Sequence, residues 1–222
     1  MGSESRRYVD EDASGQVVIG QTLRDVRAVN SNLSNWQMLE ARIEAMALEQ
    51  SRFGYCRALQ CHFDQWSLDH CRVQQGFYRD CTFTHFKAHD SFLDGSSFLG
   101  CRFEETESEL NSFGLCVFHA CQLRGSRMSE VSFIATVWQD CLIEGGKYNF
   151  VRFPRSVFVN TQFVNCELRK AIFRQARFIG CRFENCQIPD SVFHNAHFQD
   201  TEFAETDIHQ AANLDGAVGL EL

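Results

Sequence analysis

The chain repeats itself every five residues over most of its length. Between residues 161 and 210 the third residue of each group of five is always Phe, Leu or Ile, and the first is always Thr, Cys, Ala or Ser. A period of five matches neither the 3.6-residue period of an α-helix nor the two-residue period of a strand. It predicts a coil that turns a corner in each repeat and buries two of every five side chains.

The same frame extends far beyond this stretch. The third place, at residues numbered 5n+3, continues without insertion from Leu23 to Ile208 and has 38 members. It holds 17 of the 21 phenylalanines, and all 11 cysteines stand at the first place. We therefore expect the first and third places to face a core that is built by stacking of successive repeats, and the other three places to face solvent.

This pattern resembles the pentapeptide-repeat family, and the resemblance covers residues 18–214. It implies an all-β fold, a right-handed quadrilateral parallel β-helix (a solenoid) of about nine to ten coils with four repeats in each coil. Such a rod would be roughly 45 Å long at the usual spacing of strands. We expect a repeat domain at 17–210, a flexible leader at 1–16, and a C-terminal cap or dimerisation tail at 211–222.

One stretch has two interpretations. Residues 34–50 are rich in helix formers, and Leu39 and Met46 would share one face of a helix. Met38 and Leu48 keep the five-residue frame, which favours a β-coil. The alternative is a short capping helix at this terminus, since an uncapped stack would expose strand edges and apolar core.

Large side chains interrupt the small first place in one column. Trp66 and Phe86 stand there, and their third-place neighbours, Leu68 and Ala88, are smaller. A large residue beside a small one conserves volume, so we expect these two aromatic residues to pack in the core with the usual order of sizes inverted. The alternative is a local outward bulge, in which Trp66 and Phe86 would form an exposed patch for binding.

Cysteine usage indicates the compartment and weighs against a thiol site. Five of the eleven cysteines are spaced by 20 residues and should stack in one inward column: Cys61, Cys81, Cys101, Cys121 and Cys141. A thiol metal or redox site is one interpretation, but Cys fits beside a large Phe as a small apolar residue, and we prefer that interpretation. An odd number of buried cysteines suits a reducing compartment, and we expect the cytoplasm.

Signals for catalysis, cofactors and membranes are lacking. The sequence has no phosphate loop, nucleophile elbow or zinc motif, and His194 and His197 form a pair without an obvious third ligand. No apolar run approaches 18 residues, and residues 1–16 do not resemble a secretory signal. We predict a non-enzymatic protein without catalytic residues, cofactor or metal, and without contact to a membrane.

An apolar stripe is expected on one outward face, because its residues recur at the second and fourth places of one repeat column. Such a stripe marks either an interface, in a homodimer or with another protein, or ordinary filling of a sheet surface. The interface candidates are Leu99, Val117, Val137, Val157, Val159 and Ile179.

Charge is banded along the rod. The net charge is −8, although the repeat body from 22 to 210 carries only −4. A basic band extends from Lys147 to Arg182, and an acidic band from Glu184 to Asp207. The densest acidic cluster lies at mid-rod, and its residues are the candidates for binding a partner: Glu104, Glu105, Glu107 and Glu109.

The resemblance also suggests a function. Members of the family include dimeric acidic rods from bacteria that imitate duplex DNA and protect type II topoisomerase from quinolones or peptide toxins. The resemblance therefore implies an interaction protein with DNA gyrase or topoisomerase IV as partner, and a role in antibiotic resistance. The alternative is a structural scaffold or effector module that docks another protein. Direct binding of nucleic acid is disfavoured, since acids flank the basic band on both sides.

Overall fold

The computed structural model describes residues 4–220 and shows a parallel β-solenoid of about ten turns. From Val17 to Ala204, strand residues pair with the residue 20 positions away in the next coil, as Phe83 does with Phe103 and Phe103 with Leu123. The five-residue frame explains this spacing, because four repeats close one coil and bring identical places into register. We name the four sides of a coil face 1 to face 4 in the order in which the chain meets them, starting at Val17.

Face 1 is a ten-stranded parallel sheet with one three-residue strand from each coil. Its strands are β2 (Val17–Ile19), β4 (Gln37–Leu39), β6 (Arg57–Leu59), β9 (Phe77–Arg79), β12 (Ser97–Leu99), β15 (Val117–His119), β18 (Val137–Gln139), β21 (Val157–Val159), β23 (Arg177–Ile179) and β25 (His197–Gln199).

Faces 2 and 3 are joined near the N-terminus by strands that continue through the corner between them. These continuous strands are β1 (Glu4–Val9), β3 (Thr22–Val29) and β5 (Arg42–Glu49). Face 2 then consists of β7 (His62–Asp64), β10 (Thr82–Thr84), β13 (Arg102–Glu104), β16 (Gln122–Arg124), β19 (Leu142–Glu144), β22 (Gln162–Val164), β24 (Arg182–Glu184) and β26 (Glu202–Ala204). Face 3 consists of β8 (Ser67–Asp69), β11 (Lys87–His89), β14 (Glu107–Glu109), β17 (Arg127–Ser129) and β20 (Lys147–Asn149).

Face 4 is held by single parallel bridges in place of strands, from Asp12↔Asn32 to Val192↔Asn213. At the corners the fifth place has positive φ, as at Asn30 and Asp140. Asn, Asp and Gly adopt this left-handed conformation most readily. Stacked corner residues also bond to each other: Asn30 Nδ2 donates to Asp10 Oδ1 at 2.7 Å.

The core consists of first-place and third-place side chains, as the frame predicts. Third-place rings stack between coils, with centroids of Phe163 and Phe183 4.6 Å apart and nearly parallel. First-place side chains fill the space between these rings and the backbone. Trp66 and Phe86 are only 2% and 4% exposed, which confirms the inverted packing that the sequence predicts in this column.

The N-terminal part of the chain is β-solenoid from residue 4 onward, which confirms one expectation from the sequence and corrects another. Residues 37–39 and 42–49 are strands β4 and β5, so the β-coil interpretation of 34–50 is confirmed and a capping helix is absent there. Residues 4–16, expected to be a flexible leader, instead extend the solenoid: β1 pairs with β3, and Ala13 is buried. A polar sequence can do this because most of its side chains point outward. Residues 1–3 of the expected leader lie outside the described residues.

The C-terminal segment shifts the frame by one residue. The short 3₁₀ helix η1 (Ile208–Gln210) interrupts the coil, and Val192 pairs with Asn213, 21 positions later. Ala211, Leu214, Ala217 and Leu220 pack against the end of the core. This packing agrees with a cap, while dimerisation through 211–222 stays a prediction and residues 221–222 lie outside the described residues. No helix within 4–220 is long and apolar enough to cross a membrane.

Candidate protein-binding surfaces

The four candidate glutamates lie on two faces that meet at a corner. Glu104 ends β13 on face 2, Glu105 occupies the corner with φ of 52°, and Glu107 and Glu109 are the outward residues of β14 on face 3. The structure therefore keeps them in one coil but points them in different directions. They form an acidic ridge over a corner, which differs from the compact cluster that their closeness in sequence suggests.

Neighbouring coils place cationic or titratable partners beside this ridge. Lys87 Nζ lies 2.8 Å from Glu107 Oε2, and this hydrogen bond lowers the pKa of Glu107. His85 Nε2 lies 3.2 Å from Glu105, and His89 Nδ1 lies 3.5 Å from Glu109. The ridge thus carries less free negative charge than four glutamates alone would give.

His85 is the most strongly paired histidine at this corner. Its Nδ1 lies 3.0 Å from Asp64 Oδ1, and this hydrogen bond raises the pKa of His85 and lowers the pKa of Asp64. Glu105 on its other side adds a smaller effect of the same sign on His85. Protonation of His85 would therefore neutralise part of the acidic ridge as the pH falls.

Face 1 carries the apolar stripe in the predicted register. Val117 pairs with Val137, and Val137 pairs with Val157, so the three side chains stack on adjacent strands. Val117 and Val137 are each 36% exposed. Val159 and Ile179 stack beside them in the other outward column of the face.

One candidate of the stripe stands apart from the others. Leu99 is in the same column as Val159, but His119 and Gln139 lie between them. The twenty-residue spacing that stacks the valines also inserts two polar residues into this second column. The structure therefore brings five of the six interface candidates together and leaves Leu99 at the margin.

The apolar character extends over most of face 1. Eleven of its twenty outward strand positions are apolar, against three of twenty on face 2. The members on face 1 are Val17, Ile19, Leu39, Leu59, Phe77, Leu99, Val117, Val137, Val157, Val159 and Ile179.

Two further apolar residues border the stripe, and sequence reasoning missed both. Leu115 occupies the corner between faces 4 and 1 and is 69% exposed, and Ile134 on face 4 is 49% exposed. Leu115 has φ of 58°, a conformation in which a bulky residue is strained. Leu115 could have been found from the sequence, because the fifth place between faces 4 and 1 is Asn, Gln or Gly in most other coils. We call Leu115, Val117, Ile134, Val137 and Val157 the apolar patch.

The cysteines are all buried and unpaired. Burial raises the pKa of Cys56 and of Cys116 to about 12. In the column of five, hydrogen bonding to Cys121 raises the pKa of Cys101 to about 12. Each thiol also contacts backbone carbonyls, as Cys141 does with Phe118 at 3.4 Å. At the end of the column, the hydrogen bond with Cys121 lowers the pKa of Cys141. The column is part of the core.

We expect slow modification of the native cysteines by a thiol reagent. The reactive form is the thiolate, which burial and a raised pKa suppress. Labelling followed by mass spectrometry should show little modification of Cys101 or Cys121 at pH 7 until denaturant unfolds the rod. Rapid labelling of either residue in the folded protein would contradict the inward orientation.

No group of three or more His, Cys, Asp or Glu side chains within residues 4–220 could hold a metal ion. An open trough of about 490 Å³ lies on face 3, between the rows that start at Lys87 and at His89. The candidate binding surfaces are therefore the outward side chains of the sheet faces.

Comparison with known proteins is informative about the fold. The family model for the SV2A/B/C luminal domain matches residues 146–219, about a third of the chain. A search of curated proteins found no match to the chain. Among solved structures, the chain is similar to HetL, a pentapeptide repeat protein involved in heterocyst differentiation regulation in the cyanobacterium Nostoc sp. strain PCC 7120. The TM-score is 0.66 at 10% identity, over 96% of this chain and 86% of HetL.

A second similar structure is QnrB1, a plasmid-mediated fluoroquinolone resistance protein. Its trypsin-treated R167E form matches with a TM-score of 0.64 at 15% identity, over 93% of this chain and 91% of QnrB1. The full-length form matches with a TM-score of 0.52 at 12% identity, over 98% and 93%. These identities are too low to carry over a function. The five-residue frame, the twenty-residue coil and these likenesses together show that the chain has the fold of the pentapeptide-repeat proteins.

Proposed function

We propose that this chain is a non-enzymatic interaction protein that binds a protein partner on face 1. The observation that carries this proposal is the apolar patch, in which stacked valines adjoin a strained and largely exposed leucine. Contiguous exposed apolar surface on a soluble protein is typical of an interaction site. The reduced thiols suit a reducing compartment, so we place this role in the cytoplasm.

Face 1 is a rigid surface. Each of the eight inner strands of face 1 is hydrogen-bonded to two neighbouring strands, and the third-place side chains behind them are buried. A rigid surface loses little conformational entropy when a partner docks, so more of the contact energy appears as affinity. Branched valines on a strand add to this rigidity, because they have few rotamers to lose.

Photo-crosslinking tests this proposal. A benzoylphenylalanine residue at position 137, in the middle of the apolar patch, should form a discrete adduct with a protein in cells that express the chain. The same residue in place of Gln162, which is exposed on face 2, is the matched control. Equal adducts at both positions, or none at position 137, would remove the support for face 1.

A type II topoisomerase is the second candidate partner, because the family that the sequence resembles includes proteins that protect this enzyme. The similarity of fold to QnrB1, a fluoroquinolone resistance protein, is compatible with this candidate. In this proposal the chain imitates duplex DNA, the acidic ridge stands in for phosphates, and gyrase or topoisomerase IV is protected from a quinolone or a toxin. The ion pairs of Glu107 weaken the imitation, because a paired carboxylate attracts a basic enzyme surface less than a free one. A scaffold or effector role through the apolar patch does not depend on the ridge.

Supercoiling assays separate the two candidates. Replacement of Glu104, Glu105, Glu107 and Glu109 by Gln leaves the inward places unchanged, so the fold should survive. A DNA mimic should inhibit gyrase or protect it from a quinolone, and this variant should do so less, most clearly at low salt where charges are least screened. Val137→Lys should leave that effect intact. Wild-type protein without effect on either enzyme would eliminate the topoisomerase proposal and leave the face 1 proposal standing.

A further inference from the structure

Acidic residues are absent from a broad surface around the apolar patch. In five successive coils, the residues that form face 4, the next corner and face 1 contain no Asp or Glu, although the whole chain has 29. These segments are 112–119, 132–139, 152–159, 172–179 and 192–199. We call their outward side chains the acid-free surface.

Four arginines are concentrated on this surface. Arg152 and Arg174 lie on face 4, Arg155 at the corner, and Arg177 on face 1, all exposed and in adjacent coils. Val157 of the apolar patch pairs directly with Arg177. We call these four residues the arginine quartet, and it borders the apolar patch on the C-terminal side.

The quartet has no carboxylate partners within residues 4–220. None of its members takes part in an ion pair there, and the one side-chain bond found is from Arg155 Nε to the amide of Gln175 at 3.2 Å. Face 2 shows that the solenoid can pair arginines across coils, since Arg24 bonds Glu44 at 2.7 Å and Arg124 lies 3.2 Å from Glu144. Four adjacent cations without counter-charges repel each other, and a bound anionic group would relieve that repulsion.

We infer that the acid-free surface binds an acidic, aliphatic-rich segment of a protein partner. This inference rests on the proposed function and specifies the chemistry of the partner. Aliphatic side chains of the segment would cover the apolar patch, and its carboxylates would reach the arginine quartet. Arginine pairs with carboxylates through two parallel hydrogen bonds, which gives orientation as well as affinity.

The chemistry of the patch favours a protein over nucleic acid. Proteins that hold single strands stack bases on several aromatic side chains. The residues that pair with members of the quartet are Val157, Ile172, Ser132 and His197, of which only His197 is aromatic. Duplex binders distribute cations along the phosphate backbone, whereas here ten of the 25 outward places of the acid-free surface hold Ala, Val, Ile or Leu. An aliphatic surface matches aliphatic side chains of a peptide.

The experiment is selection from a display library of random 16-residue peptides on the full-length protein. We expect the selected peptides to be enriched in Asp and Glu together with Leu, Ile or Val. In the variant Arg155→Gln/Arg174→Gln/Arg177→Gln, the affinity for a selected peptide should fall at least about tenfold, the factor expected from loss of one charge-assisted hydrogen bond. The control variant Arg27→Gln/Arg52→Gln/Arg72→Gln removes equal charge from the other half of the rod. It should leave the affinity for the selected peptide unchanged.

The outcomes distinguish this inference from the function on which it rests. Selected peptides that lack acidic residues but lose binding in Leu115→Ser/Val137→Ser would overturn the acidic partner and keep face 1 as the binding surface. Peptides that bind both variants like wild type would overturn both proposals. Tighter binding of duplex DNA, RNA or phosphatidylglycerol vesicles than of any selected peptide, with loss in the arginine variant, would assign the quartet to a phosphate ligand and overturn the inference.

Discussion

Phe173→Asp is expected to lower the free energy of unfolding by at least about 4 kcal/mol, enough to leave little folded protein. Phe173 is fully buried, and its ring lies between those of Phe153 and Phe193 with centroids 5.0 and 4.9 Å away. The substitution removes both stacking contacts, opens a cavity and places a carboxylate where the surroundings are aromatic. Urea unfolding followed by circular dichroism measures the change.

Gln175→Asp is the matched control in the same repeat. Gln175 is exposed at a corner with φ of 57°, a conformation that Asp adopts readily. It introduces the same carboxylate two residues away, so stability should change by less than about 0.5 kcal/mol. If both variants melt like wild type, the third place does not face the core and the frame is misassigned.

The fold could be predicted from the sequence because one rule applies in every coil. Phe163, Phe173, Phe178 and Phe183 are all buried, as their place in the frame requires. Stacking makes each third-place side chain depend on the same place 20 residues away, so a period of five leaves few alternatives. The frame also decided residues 34–50 correctly, where local helix propensity suggested otherwise, because tertiary stacking overrides weak propensities.

The ends and the surface could not be read from that rule. The first coil keeps only half of the frame, because Tyr8 and Ala13 stand at third places but Arg6 and Glu11 stand at first places. Backbone pairing of Glu4–Val9 with β3 reveals this coil. The one-residue shift before Asn213 depends on η1, which leaves no periodic signal. Closeness in sequence also misplaced Glu104 and Glu107, since the corner at Glu105 turns them onto different faces.

The structure also explains why glycine occupies the first place in two repeats, which the sequence pattern alone does not. Gly76 stands at a first place two residues before Tyr78, and Gly146 has the same relation to Tyr148. A Cβ atom on Gly76 would lie 2.5 Å from Cε2 of Tyr78 and 2.9 Å from its hydroxyl oxygen, so the tyrosine ring occupies space that a first-place side chain normally fills. The Tyr78 hydroxyl is buried and has no hydrogen-bond partner.

Gly76→Ser should therefore lower the free energy of unfolding by about 2 kcal/mol, because the added side chain overlaps a ring that stacks on Phe98 and cannot easily move away. Tyr78→Phe alone should raise it by about 1 kcal/mol through removal of an unpaired buried hydroxyl. The double variant reproduces the Ser96 and Phe98 pair of the next coil, and we expect it to lie within about 1 kcal/mol of wild type. Urea unfolding of the four proteins gives the coupling energy directly. Simple additivity of the two substitutions would contradict a shared space and would show that the glycine is needed for its backbone alone.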